Sequence, residues 1–83
     1  MNILFYCYGS ICEPFIEAAF SEAGFQVTKI TEEITNKQLL PSECVTLVSN
    51  ELLKKSYDFV FTINYYPSIS DTCNIFHIPY VGW

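Results

Sequence analysis

The stretch Tyr57-Asp58-Phe59-Val60-Phe61-Thr62-Ile63-Asn64-Tyr65-Tyr66-Pro67-Ser68-Ile69-Ser70 decides the fold. Asp58 to Ile63 is a short, nearly continuous apolar run, the pattern of a strand covered on both faces. It breaks into a polar-aromatic loop, Asn64 to Ser68, and then into a short helix over about Ile69 to Phe76, with Ser68 and Asp71 spaced as a capping box. A buried strand feeding a helix through a short loop is one unit of a parallel α/β sheet.

Working outward, the same unit recurs. Ile3-Leu4-Phe5-Tyr6-Cys7-Tyr8 is a second continuous apolar run, ending at Gly9, and belongs in the middle of the sheet. The helix after it has two candidate starts, Ser10 with Glu13 three residues on, or Glu13 as cap with Pro14 at the first helical position. Ile16, Ala19, Phe20 and Ala23 then follow the spacing of one buried face, and Gly24 ends the helix where a left-handed residue is wanted. Phe25 to Ile30 reads as a strand. Thr35 to Gln38 carries a weak signal for about one helical turn, and Pro41 interrupts any longer helix there. Ser42 is the expected cap of a helix with a stripe of Val45, Val48 and Leu52, supported by Cys44 and Leu53, with Lys54 and Lys55 in its last turn. Ile78 to Trp83 is a fourth strand, its proline near the start.

The alternation βαβαβαβ implies a Rossmann- or flavodoxin-like three-layer α/β sandwich whose four-stranded parallel sheet has the order 2-1-3-4. The switch point then lies between the first and third strands, so a ligand is expected at their carboxyl ends. That places Gly9, Ser10, Asn64, Tyr65 and Tyr66 as candidate ligand-binding residues, with the tyrosines either stacking on a ligand or covering the core. The last strand has no helix after it to cover it, so the chain reads as the front part of a larger domain. Its open edge invites pairing with a second copy.

Composition narrows the chemistry. The 83 residues make one small domain, 51% hydrophobic, with seven Phe, six Tyr and one Trp, a globular composition. The net charge is -5, and Lys29, Lys37, Lys54 and Lys55 are the only basic residues. A nucleic-acid partner, which needs a clustered basic face, is excluded. So is the arginine fork that commonly holds phosphate and carboxylate. No run is long enough for a membrane span and no signal-peptide pattern is present, so the chain reads as cytoplasmic. Cys7, Cys12, Cys44 and Cys73 lie in or beside regular elements without Cys-x-x-Cys spacing, which suits free thiols. His77 is the only histidine and ends a helix; no metal site and no cofactor are implied.

Three constellations bear on function. ILFYCYGSICEP, residues 3–14, resembles the phosphate loop of low-molecular-weight tyrosine phosphatases, with Cys7 as the nucleophile, but Glu13 stands where that family has arginine. A carboxylate there raises the thiol pKa and repels a phosphate dianion, so a phosphatase with a degenerate Cys7 loop is an alternative only. Glu32 or Glu33 ends the second strand where a ribose-binding acid sits in dinucleotide folds, yet the first turn has one glycine instead of three. A non-enzymatic binding or oligomerisation module using the exposed edge is the third class.

The chain as a whole resembles the N-terminal region of the CgeB-like, spore-maturation-type bacterial glycosyltransferases. The resemblance rests on ILFYCYGSICEP, on Glu33 to Lys37, on Ser42 to Val45, and above all on YDFVFTINYYPSIS running on to NIFHIPYVGW. It implies a GT-B enzyme in which a C-terminal domain binds the nucleotide sugar and the N-terminal domain faces the acceptor. Gly9, Ser10, Asn64, Tyr65 and Tyr66 would line the cleft between them. Family members continue past this tryptophan into a donor domain, so the 83-residue chain is expected to be inactive alone, with no catalytic residue of its own, and to meet donor and acceptor only within a longer protein.

Overall fold

A computed structural model describes residues 1–83. Four strands, β1 (Asn2–Tyr6), β2 (Gln26–Ile30), β3 (Phe59–Thr62) and β4 (Tyr80–Gly82), alternate with helices α1 (Glu13–Glu22), α2 (Glu32–Thr35), α3 (Pro41–Lys54) and α4 (Pro67–Ile75). The strands form one parallel sheet in the order β2-β1-β3-β4. The fold is therefore the Rossmann-like α/β sheet expected from the alternation of elements.

The continuous apolar run of β1 is explained by its position. Phe5 is paired with Lys29 on one side and Phe61 on the other, and Ile3, Leu4, Phe5 and Tyr6 are fully buried. Successive side chains point to opposite faces, so the sheet has two cores. Leu4, Tyr6, Ile30 and Val60 pack with Cys44, Val48 and Leu52 of α3 and Ile69 and Cys73 of α4. Ile3, Phe5, Cys7 and Phe61 form the other core under α1. There Phe20 makes edge or tilted ring contacts with Phe5, Phe25, Phe59 and Phe61 at 5.3–6.4 Å.

That aromatic hub accounts for one departure from the expected stripe. α1 rests on Ile16 and Phe20, while Ala19 and Ala23 remain exposed. The α1 side is also the thinly covered one: Phe15 is 74%, Val81 46% and Trp83 72% exposed.

Helix boundaries moved for local reasons. α1 begins at Glu13 behind a Cys12 cap, because Ser10 spends its hydroxyl on the Cys12 N–H and Glu13 turns its carboxylate back to the preceding loop. The single turn of helix lies at Glu32–Thr35, ahead of the expected Thr35 to Gln38. Pro41 starts α3 instead of interrupting a helix, since its fixed φ suits the first turn, and Leu40 N–H donates to Glu43 Oε1 at 3.1 Å. The buried stripe of α3 is Cys44, Val48 and Leu52, with Val45 half-buried and Leu53 outward. α4 likewise opens on its proline, Pro67, two residues before the expected start, so Ser68 lies inside it.

Two helices end in Schellman motifs. After α1, Gly24 (φ +89°) donates to Ser21 O and Phe25 N–H to Phe20 O, both at 3.0 Å, and the Phe25 and Phe20 rings pack together. After α4, His77 takes the left-handed position (φ 57°), donating to Asn74 O, while Ile78 N–H reaches Cys73 O at 2.9 Å. His77 is thus an exposed helix stop, and β4 starts only at Tyr80 because Ile78 is engaged by that stop.

Candidate functional site

The carboxyl ends of β1 and β3 lie side by side, as the strand order requires, and their loops are tied together. Beyond β1, Cys7 N–H still pairs with Ile30 O at 2.8 Å, after which the chain leaves the sheet through Tyr8, Gly9 and Ser10. Glu13 closes this turn from the helix side. Its Oε2 accepts the Tyr8 N–H at 2.8 Å and its Oε1 the Gly9 N–H at 2.9 Å, and the residue is only 5% exposed. The two backbone donors that point out of the turn are therefore satisfied by the chain's own carboxylate.

Gly9 is favoured by its backbone: its φ is +101°, a region disfavoured for other residues, whereas a Cβ here would meet only the mobile Lys37 Nζ closely, at 3.3 Å. Lys37 in turn donates to the Tyr8 carbonyl, fastening the segment after α2 across the turn.

Beyond β3, Asn64 N–H donates to Trp83 O at 2.7 Å and Trp83 N–H to Thr62 O at 2.9 Å, so the β3–β4 pairing runs into the loop. Asn64 sits in the left-handed region (φ 70°), which asparagine tolerates, and its Nδ2 donates to the Tyr8 hydroxyl at 2.9 Å. That bond joins the two loops across the switch point. Tyr65 lies outward, 62% exposed, with its ring on Tyr80 at 5.6 Å. Gly82 makes room for it: a Cβ there would be 3.1–3.2 Å from Tyr65 atoms. Tyr66 caps α4, and its N–H donates to the Tyr80 hydroxyl at 3.0 Å.

A third group sits beneath this ledge. Glu33, on α2, accepts the Tyr6 hydroxyl at 2.7 Å and the Tyr66 hydroxyl at 3.1 Å, and the Tyr6 hydroxyl also meets Cys44 Sγ at 2.9 Å. Burial, followed by the Cys44 contact and the Glu33 charge, pushes the Tyr6 hydroxyl far above its ordinary range. Burial and then Glu33 do the same to Tyr66. Both remain neutral donors at physiological pH. Glu33 is accordingly spent on holding α2 against the sheet.

The five residues expected at the site fall into two groups on either side of the sheet edge. Gly9 and Ser10 line a pocket of about 240 Å³ on the α1 side, shared with Cys7, Glu13, Glu17 and Lys29. Tyr65 and Tyr66 lie on the side of α4, and Asn64, through Tyr8, is the bridge between the groups. The loop-tying contacts of Tyr8 and Lys37 were not legible in the sequence, because neither residue has a spacing partner; they come from chain crossings 56 and 29 residues apart. A larger hollow of about 500 Å³ lies elsewhere, between α2 and the first turns of α3, with Glu32, Glu43, Leu39 and Leu47 on its walls.

The Cys7 thiol is 2% exposed and points into the α1-side core. Burial, and after it the charge of Glu13, pushes it up to about 12. A protonated, enclosed thiol lacks the activation that nucleophilic catalysis requires. No group of three or more His, Cys, Asp or Glu side chains converges as a metal site, and no helix is long and apolar enough to cross a membrane.

Compared with models of protein families, with curated proteins and with solved structures, the chain matches none.

Proposed function

We propose that this chain forms the acceptor-facing N-terminal domain of a GT-B glycosyltransferase, the role implied by its resemblance to the CgeB-like proteins. The supporting observation is the chemical character of the β1–β3 edge. Its polar groups include the Tyr8 hydroxyl and the Asn64 amide, bonded to each other, and the half-buried Ser10 hydroxyl; the Tyr65 ring is exposed beside them, and Lys37 lies next to Gly9. Amide and hydroxyl groups beside an aromatic ring suit a sugar, which offers hydroxyls at its rim and C–H groups on its face. A nucleotide diphosphate finds no equivalent seat, since the turn amides are occupied and the chain has no arginine. The donor and the catalytic groups would come from a second domain, so the chain alone transfers nothing.

The test is a titration followed by amide NMR, with methyl α-D-glucopyranoside, methyl α-L-rhamnopyranoside and UDP-glucose as separate probes. The expected result is a saturable shift of Gly9, Ser10, Asn64 and Tyr65 amides with at least one methyl glycoside, and none at these residues with UDP-glucose. Binding of UDP-glucose at this edge, or no movement there with either glycoside up to its solubility limit, overturns the reading.

A second reading, an oligomerisation module, is favoured by the exposure of Val81 and Trp83 beside the free edge of β4. Sedimentation equilibrium showing a stable dimer, with β4 amides protected and no response to sugars, would select it.

A further inference from the structure

Glu13 occupies the place of a ligand. Two successive backbone N–H groups, of Tyr8 and Gly9, converge on its carboxylate at 2.8 and 2.9 Å, with Gly9 at positive φ. Successive N–H groups at such a turn make a concavity suited to an anion. Here the anion is part of the chain, 5% exposed, at the wall of a pocket of about 240 Å³ that Ser10 and Lys29 also line. Lys37 Nζ lies close to Gly9 as well. The geometry is that of an occupied oxyanion cradle, with the occupant supplied by residue 13.

We infer that the β1–α1 turn is an anion cradle held closed by Glu13, which makes this residue a determinant of ligand class: phosphate-bearing ligands are refused while the carboxylate is in place, and inorganic phosphate takes the turn once it is removed. The refusal has two causes. The donors are already paired, so an incoming anion gains no hydrogen bond without displacing a covalently tethered competitor. The like charge repels it as well. Coulomb repulsion at contact distance in a half-buried site corresponds to a difference of at least about a hundredfold in affinity.

The cradle stands on the hydrogen bonds alone. Its biological sense, selection of a neutral acceptor over a phosphorylated one, rests on the acceptor-side reading above. The two fail separately, because the sugar titration uses the wild-type chain and neutral probes, whereas this test uses a variant and inorganic phosphate.

The experiment compares wild type with Glu13→Ala by amide NMR during titration with sodium phosphate, with sodium chloride holding ionic strength constant. The Tyr8 and Gly9 amides of the variant are expected to shift saturably, at least about a hundredfold below any phosphate concentration that moves them in wild type. If the variant is unfolded in chloride, phosphate is expected to restore its far-UV circular dichroism by binding the folded form. Equal responses in the two proteins, a folded variant whose two amides do not move, or an unfolded variant that phosphate leaves unfolded overturns the inference.

Discussion

Glu33→Ala tests how the polar cluster under the ledge holds the site together. The substitution removes the acceptor of two tyrosine hydroxyls, Tyr6 at 2.7 Å and Tyr66 at 3.1 Å. Hydrogen bonds to a charged group contribute roughly 1.5–3 kcal/mol each. Glu33 is half-buried, which favours the lower end, and Tyr6 keeps its contact with Cys44 Sγ, so its hydroxyl is not orphaned. The expected loss is about 2–3 kcal/mol. Against the ~4–12 kcal/mol typical of a domain this size, that is a large share. Urea unfolding followed by circular dichroism should show a lower midpoint at unchanged slope, because the surface exposed on unfolding is the same. A double-mutant cycle with Tyr66→Phe should return a coupling of about 1 kcal/mol or more. Native-state hydrogen exchange adds a local readout, with faster exchange over α2 and the Lys37 segment that it carries. A loss below about 0.5 kcal/mol, with a null coupling, would refute the view that Glu33 fastens α2 and Tyr66 to the sheet.

Two further outcomes follow from the environments of single residues. At pH 8 one thiol, the exposed Cys12, should react rapidly with a disulfide reagent, and Cys7, Cys44 and Cys73 only after denaturation, since burial raises all three and Cys7 to about 12. The same shifts set a pH dependence: their stability contribution is fully present below the unfolded thiol pKa of about 8.5 and declines as pH rises toward the folded values, so urea midpoints should fall between pH 8 and 10. Fast labelling of Cys7 in the native chain would contradict the packing described. His77→Gly should stabilise the protein by about 0.5–1 kcal/mol, the left-handed strain of roughly 1–2 kcal/mol relieved less the greater entropy lost by glycine; a destabilised variant in thermal unfolding would give His77 a side-chain role that its exposed position does not suggest.

The architecture was legible in the sequence because it depends on local and additive signals. Continuous apolar runs at Ile3 to Tyr8 and Asp58 to Ile63, separated by helical stripes and stopped by Gly24, specify buried parallel strands and their crossovers. The order β2-β1-β3-β4 follows from connection rules that act on any such alternation. Prolines are less legible: Pro41 and Pro67 both begin helices, since a fixed φ and a missing N–H are harmless in a first turn and disruptive only further in.

What the tertiary structure alone decided is which polar groups are free. Sequence spacing placed Gly9, Ser10, Asn64, Tyr65 and Tyr66 at one edge, but it gave no sign that Tyr66 would spend its hydroxyl on Glu33, or that Tyr8 would link to Asn64. Glu13 was recognisable as an unfavourable charge beside Cys7, whereas its capture of two backbone donors was not. Hydrophobic burial is non-directional and written in composition and period, so one sequence suffices to read it. Hydrogen-bond partners are chosen by distance and angle within about an ångström, and residues far apart in the chain reach that precision only after the strands have set them side by side.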